Sequence, residues 1–391
     1  MYDVIVVGAR CAGASLAMLL ARSGHRVALL DRAAFPSDTM STHFLWPRGG
    51  GRLQAWGLLD RLQARGCEPI REITFDVGPV RLCGMAPATG GAAFAYSPRR
   101  TVLDALLVAA AVEAGAELAE AFTVDELLWS EGRVVGVSGH HRGGRGSSIR
   151  AQVVVGADGL HSTLARRVGA HPYREHPPLT GVYYSYWSGL SGLGASFNAR
   201  PGRLILVWPT NDELTCVYVA WPRDEFRQVR KDAEREFHAA LGLVPGLADT
   251  VASGRREQRF VGTDDLPNLY RASAGPGWAL AGDAGHHKDP STGMGMSDAF
   301  GAADLLAGAI HGGLVGQQPI DDALADYQRQ RDILTANGFE LTLSTARLAP
   351  LSARLEAFYR AATAQPELVR RIFGVLGGSI PMADLSSVAL P

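Results

Sequence analysis

Three short stretches of this sequence put glycine and aspartate where a large anionic ligand can approach the backbone. The first is the turn Gly8-x-Arg10-x-x-Gly13, set between an apolar run at 2–7 and helical apolar spacing at 12–21. In a dinucleotide turn the first glycine allows the tight bend, the middle one lets the backbone approach a pyrophosphate, and the third allows close helix–strand packing. Here an arginine holds the middle position. Read alone, the turn fits a nucleotide site or an ordinary βαβ crossing. Asp31, at the end of the next apolar run and followed by Arg32, is placed to accept ribose hydroxyls and favours binding.

The second stretch is "GADGLHS", with Asp158-Gly159 at the end of the apolar run 151–158. The third is "GDAGHHKDPSTGMGMSDAF". In it Asp283 ends a strand, as a hydroxyl acceptor or a helix cap. Pro290 and the Gly293-Met294-Gly295 turn then precede a helix whose N–H groups and dipole can stabilise negative charge. Arg100, one helical turn before Asp104, opens a helical pattern at 99–115, and Arg48 opens another at 48–65. Each arginine reads as a ligand contact or a solvated helix end.

The order and separation of these motifs resemble the FAD-dependent monooxygenases of the p-hydroxybenzoate hydroxylase type, which share them with geranylgeranyl reductase-like enzymes. The resemblance implies an α/β fold: a Rossmann-like FAD-binding domain of the glutathione-reductase type, an inserted antiparallel-sheet substrate domain, and C-terminal helices. It assigns residues 1–69, 97–178 and 262–345 to the FAD-binding domain, 70–96 and 179–261 to the substrate domain, and 346–391 to a helical segment. It also implies that Gly8, Arg10, Gly13, Asp31, Arg32, Arg48, Arg100, Asp158, Gly159, Asp283, Pro290, Gly293, Met294 and Gly295 contact FAD. Arg10 then has three destinations: the phosphates, the substrate side of the flavin, or solvent.

The implied reaction uses NAD(P)H and O2 to oxygenate an aromatic or polyketide-like small molecule through a flavin C4a-hydroperoxide. The cofactor performs the hard step, so no catalytic side chain is assigned. With a single glycine-rich turn, no dedicated NAD(P)H domain is expected, and the reductant must visit the flavin transiently.

Around these motifs, "LTGVYYSYWSG" and "RLILVWPTNDELTCVYVAWP" read as antiparallel strands that pair with the 70–96 stretch. Alternation puts Tyr184 and Tyr186 on one face and Tyr183 and Trp187 on the other, so only one set can line a pocket. Tyr184, Tyr186 and Trp208 are the candidate substrate contacts. His43, between the second strand and the next helix, is a polar pocket residue or a surface loop histidine. "HHRGGRGSS" at 140–148 reads as an exposed hairpin loop.

A net charge of -1 and 20% charged residues give no reason to expect nucleic acid or a membrane surface. Asp3 interrupts the first apolar run and no stretch has the length of a membrane helix, so a cytoplasmic protein is expected. Four scattered cysteines without a CxxC pair suggest no disulfide framework. The adjacent pairs His140-His141 and His286-His287 lack supporting ligands, so no metal is expected.

Three alternatives stay open. A reductase would deliver hydride to a carbon–carbon double bond, and an oxidase or an inactive scaffold would need no nicotinamide. A flavin-dependent halogenase needs a lysine near the flavin and a W-x-W-x-I-P segment. That segment is absent, and the two lysines, Lys231 and Lys288, lie in a charged helix and in the third motif. Halogenation is therefore disfavoured at this point.

Overall fold

The computed structural model describes residues 1–190 and 192–386. Five parallel strands, Glu117–Ala119, Val27–Leu30, Tyr2–Val7, Gly146–Gly156 and Trp278–Leu280, lie side by side in that order. Val4, Ile5 and Val6 are inaccessible to solvent, as expected of strands covered on both faces. Helices Cys11–Arg22, Arg100–Glu113 and Gly295–Leu314 pack together on one face. A hairpin, Phe122–Ser130 with Arg133–His141, continues into the first half of the Gly146–Gly156 strand, and its exposed turn at 142–145 is the glycine-rich loop read from sequence.

A second sheet is antiparallel at its centre, with strands Thr180–Ser188, Thr215–Pro222, Arg203–Pro209 and Ala195–Arg200 in that order. Ile73–Asp76 adds parallel to Ala195–Arg200, followed by Arg81–Gly84, so the early stretch and the later insert form one sheet. Its two faces have separate cores. Tyr183 and Trp187 pack with Trp221, Phe226 and Phe237 on the outer face, and Tyr184, Tyr186, Trp208 and Tyr218 lie on the inner one.

Helix Pro366–Leu376 docks on the second sheet, where Phe373 sits against Gly84, and no residue of 346–386 lines the central cavity. These C-terminal helices therefore pack on part of the sheet's inner face without lining the cavity. A small third sheet of Pro172–His176, Asn268–Arg271 and His286–His287 has no alternating apolar signal in the sequence. It brings His286, His287 and Lys288 inward. Among the described residues no helix is long and apolar enough to cross a membrane.

Candidate functional site

A cavity of about 710 Å³ lies at the carboxyl ends of the parallel strands and extends to the inner face of the second sheet. This is where open α/β sheets place ligands. Gly8, Arg10, Asp31, Arg32, Arg100, Asp158, Gly159, Asp283, Pro290, Gly293, Gly295 and Tyr184 all line it. Residues far apart in sequence thus face one space.

The opening turn is built by close approach. Gly8 has φ +102, and a Cβ there would lie 2.3 Å from the Ala157 carbonyl oxygen. Gly13 does not line the cavity; its Cα faces the Gly8 carbonyl, where a Cβ would come within 1.8 Å of the oxygen. Asp31 ties the turn to the second strand: its Oδ2 accepts from Ala9 N–H at 2.6 Å and its Oδ1 from Ala33 N–H at 2.8 Å.

Arg10 lines the cavity with its guanidinium braced by the chain's own groups. It donates to Asp104 Oδ2 at 2.7 Å and to Ser37 Oγ at 2.9 Å, while Arg100 Nε donates to Asp104 Oδ1 at 3.0 Å. The Asp104 side chain is fully buried, so one carboxylate holds two guanidinium groups at the cavity wall. Arg100 is accordingly buried and paired, not a solvated helix end. Cys11 is beside the same carboxylate, and burial pushes its thiol up to about 12, which keeps it protonated and unreactive.

Asp158 Oδ2 accepts from Thr163 N–H at 2.7 Å and caps the helix Thr163–Arg167. Its buried Oδ1 has no partner among the described residues, and the residue faces the cavity. An unsatisfied carboxylate oxygen here fits a hydroxyl-rich ligand. Gly293 and Gly295 lead into the 20-residue helix Gly295–Leu314, whose N-terminal end is at the wall.

Several expected contacts lie behind the wall. Arg48 is partly buried and bonds Asp298, which also takes the Lys288 ammonium. Met294 is buried in the inner-face core of the second sheet. His43 is fully buried, and its Nε2 bonds the Tyr186 hydroxyl with the rings stacked at 5.7 Å. Burial, then the charges of Arg100 and Arg99, lowers the His43 pKa well below its ordinary value. Trp208 packs against Phe44 and Tyr218 with no exposure. Alternation identifies the inner face, but residues 43–46 cover one end of it, so Tyr184 reaches the cavity and Tyr186 and Trp208 do not.

Lys288 corrects one sequence inference. It lines the cavity together with Asp283, so a lysine does stand at this site, with its amine tied to Asp298. Burial alone would raise the Asp298 carboxyl, but the Lys288 and Arg48 cations hold it down to about 2. A carboxyl depressed on folding stabilises the fold above its unfolded value of about 3.9, and that contribution is lost as pH falls through the folded value. The stability gap between the native chain and Asp298→Asn is therefore expected to narrow between about pH 4 and 2. Urea midpoints across that window check it; a constant gap contradicts it.

Residues 1–335 match the family described as FAD binding domain. The chain belongs to that family. Proteins of different kinds resemble it along most of its length. Tryptophan 2-halogenase of Chondromyces crocatus is 24% identical over 98% of this chain and 74% of its own. Digeranylgeranylglycerophospholipid reductase of Methanocella arvoryzae is 24% identical over 82% of this chain and 81% of its own. Among solved structures, PqsL of Pseudomonas aeruginosa, described as a probable FAD-dependent monooxygenase, superposes with a TM-score of 0.74 at 23% identity, covering 96% of this chain and 99% of the other. The FAD binding domain fold is thus shared, and this chain is an FAD-dependent oxidoreductase.

Proposed function

We propose that this flavoenzyme holds FAD along the cavity and uses NAD(P)H and O2 to oxygenate an aromatic or polyketide-like small molecule. The observation that carries the reading is the continuity of one wall, from Gly8 and Asp31 through Arg100, Asp158 and Asp283 to Pro290 and Gly295, ending on Tyr184 and Tyr218. Asp31 has acceptor capacity left for ribose hydroxyls, and Asp158 Oδ1 and Asp283 for others along the cofactor. The N-terminal end of Gly295–Leu314 offers positive potential to an anionic ring edge. Bound FAD supplies electron transfer and oxygen activation; the chain positions substrate, excludes water and holds charge.

Halogenation is a second reading. Lys288 in the wall and the halogenase relative favour it, whereas the absent W-x-W-x-I-P segment and the Asp298-bound amine oppose it. The reductase relative keeps carbon–carbon double-bond reduction as the outcome to exclude.

The test is the visible spectrum of the purified protein, followed by NADH and NADPH oxidation with oxygen uptake, with and without bromide, over aromatic and polyketide-like compounds. Hydroxylated product in step with oxygen consumption is expected. Brominated product supports the second reading, reduction without oxygen use supports a reductase, and failure to take up FAD overturns the assignment.

A further inference from the structure

One end of the cavity is closed by Val182, Tyr184 and Tyr218 of the second sheet together with Phe44, Leu266 and Asp289 from segments outside it. Tyr184 and Tyr218 are cross-strand partners on the inner face, so two phenol rings stand side by side there. Together with Phe44 they suit a flat aromatic guest.

The charges at this end have an unusual balance. Lys288 lines the cavity but gives its ammonium to Asp298, and the His287 ring bonds the Pro267 carbonyl. Arg10 and Arg100 are committed to Asp104. Asp289 is buried and accepts from the Thr180 hydroxyl at 2.5 Å, from Ser291 N–H at 2.9 Å and from the Ser291 hydroxyl, with no cation paired to it among the described residues. A substrate carboxylate would lose its water here and meet Asp289, with the cations lining this end already committed to other partners.

One polar atom is nevertheless unsatisfied. The Tyr218 hydroxyl is buried and has no hydrogen-bond partner among the described residues. A buried hydroxyl left unpaired is unfavourable, and a ligand group that bonds it removes the penalty.

We propose that this end selects a neutral aromatic substrate whose hydroxyl, amino or carbonyl group hydrogen-bonds the Tyr218 hydroxyl, and that it rejects aromatic carboxylates. This selectivity rests on the flavoenzyme reading above. Tyr218 is the residue that recognises the polar group, and buried Asp289, with no cation paired to it among the described residues, is the group that disfavours the acid.

The test uses FAD-loaded protein and three matched pairs: 4-hydroxybenzoate, salicylate and anthranilate, each against its methyl ester. Binding is read from perturbation of the flavin spectrum and from intrinsic tryptophan fluorescence, since Trp208 packs against Tyr218. At least two of the esters are expected to bind ten times or more tightly than their acids at pH 7.5, and Tyr218→Phe is expected to weaken those esters about tenfold with flavin content unchanged. Acids that bind as well as esters overturn the charge selectivity, as does the absence of binding by every ester. Unaltered ester binding in Tyr218→Phe overturns the role of that hydroxyl. If the protein takes up no FAD, the flavoenzyme reading has failed separately, and tryptophan fluorescence still decides the ester–acid preference.

Discussion

Gly13→Ala is expected to abolish flavin retention and to destabilise the fold by more than any single surface change. The added methyl carbon would stand 1.8 Å from the Gly8 carbonyl oxygen and 3.1 Å from the Ala157 Cβ. Neither neighbour has an easy retreat. The oxygen belongs to a turn whose Gly8 is already at φ +102 and whose next residue donates to Asp31, and Ala157 is bonded through its N–H to Val7. Ordinary overpacking in a core costs about 1–3 kcal/mol because side chains can shift. Here backbone must move, so the cost should exceed that range, and helix Cys11–Arg22 should separate from the turn. Gly24→Ala is the matched control: its φ is +85 and nothing lies within 4 Å of the added carbon. It should show only left-handed strain, about 1–2 kcal/mol, and keep its flavin. Urea midpoints and the visible spectra of the two variants decide the matter; a Gly13→Ala protein that stays yellow and as stable as Gly24→Ala contradicts the close-packing account.

The parts of the site written in local chemistry were readable from the sequence. Glycines at fixed offsets, Asp31 at a strand end and Asp158-Gly159 at another all report a backbone that must bend or present an edge, and that requirement is local. The same holds for the split of Tyr183 from Tyr184, which follows from strand alternation. What local spacing does not encode is which side chain another segment reaches first. The brace on Arg10 is not legible locally because Asp104 and Ser37 are distant in sequence. Arg48 reads as either a ligand contact or a helix end because its partner, Asp298, lies on a helix from the other end of the chain. His43 has a fully buried ring at φ +57, and only the crossing of residues 43–46 over the second sheet makes it so. Lys288 lies inside a motif, and a short ribbon of the third sheet turns it to the cavity. Asp298 carries a faint signal, an acidic residue in the first turn of an apolar helix, which suggests a dipole partner without revealing two buried cations.

Asp104→Ala is expected to be far more damaging than Arg10→Gly, although the two side chains form one ion pair. Asp104 is inaccessible and answers two guanidinium groups, Arg100 at 10% side-chain exposure and Arg10 at 26%. Removing the carboxylate leaves both cations without it, and breaking a buried pair from one side costs about 3–5 kcal/mol. Removing Arg10 instead leaves Asp104 bonded to Arg100, and Arg10 is partly solvated, so the loss should stay near the roughly 1.5–3 kcal/mol of a hydrogen bond to a charged group or below it. The functional consequences separate in the same way. Arg10→Gly restores the glycine that dinucleotide turns carry at this position, so FAD should still bind. Asp104→Ala frees Arg100 at the cavity wall and leaves Arg10 held by Ser37 and Asp38 without its carboxylate, so flavin affinity should fall along with stability. Asp104→Asn, which keeps an acceptor but no charge, should lie between them. Flavin dissociation constants from fluorescence recovery, measured beside urea midpoints for all three variants, test this order. Equal losses in Arg10→Gly and Asp104→Ala would mean that Arg10 itself holds the cofactor, and that the brace through Asp104 is incidental to binding.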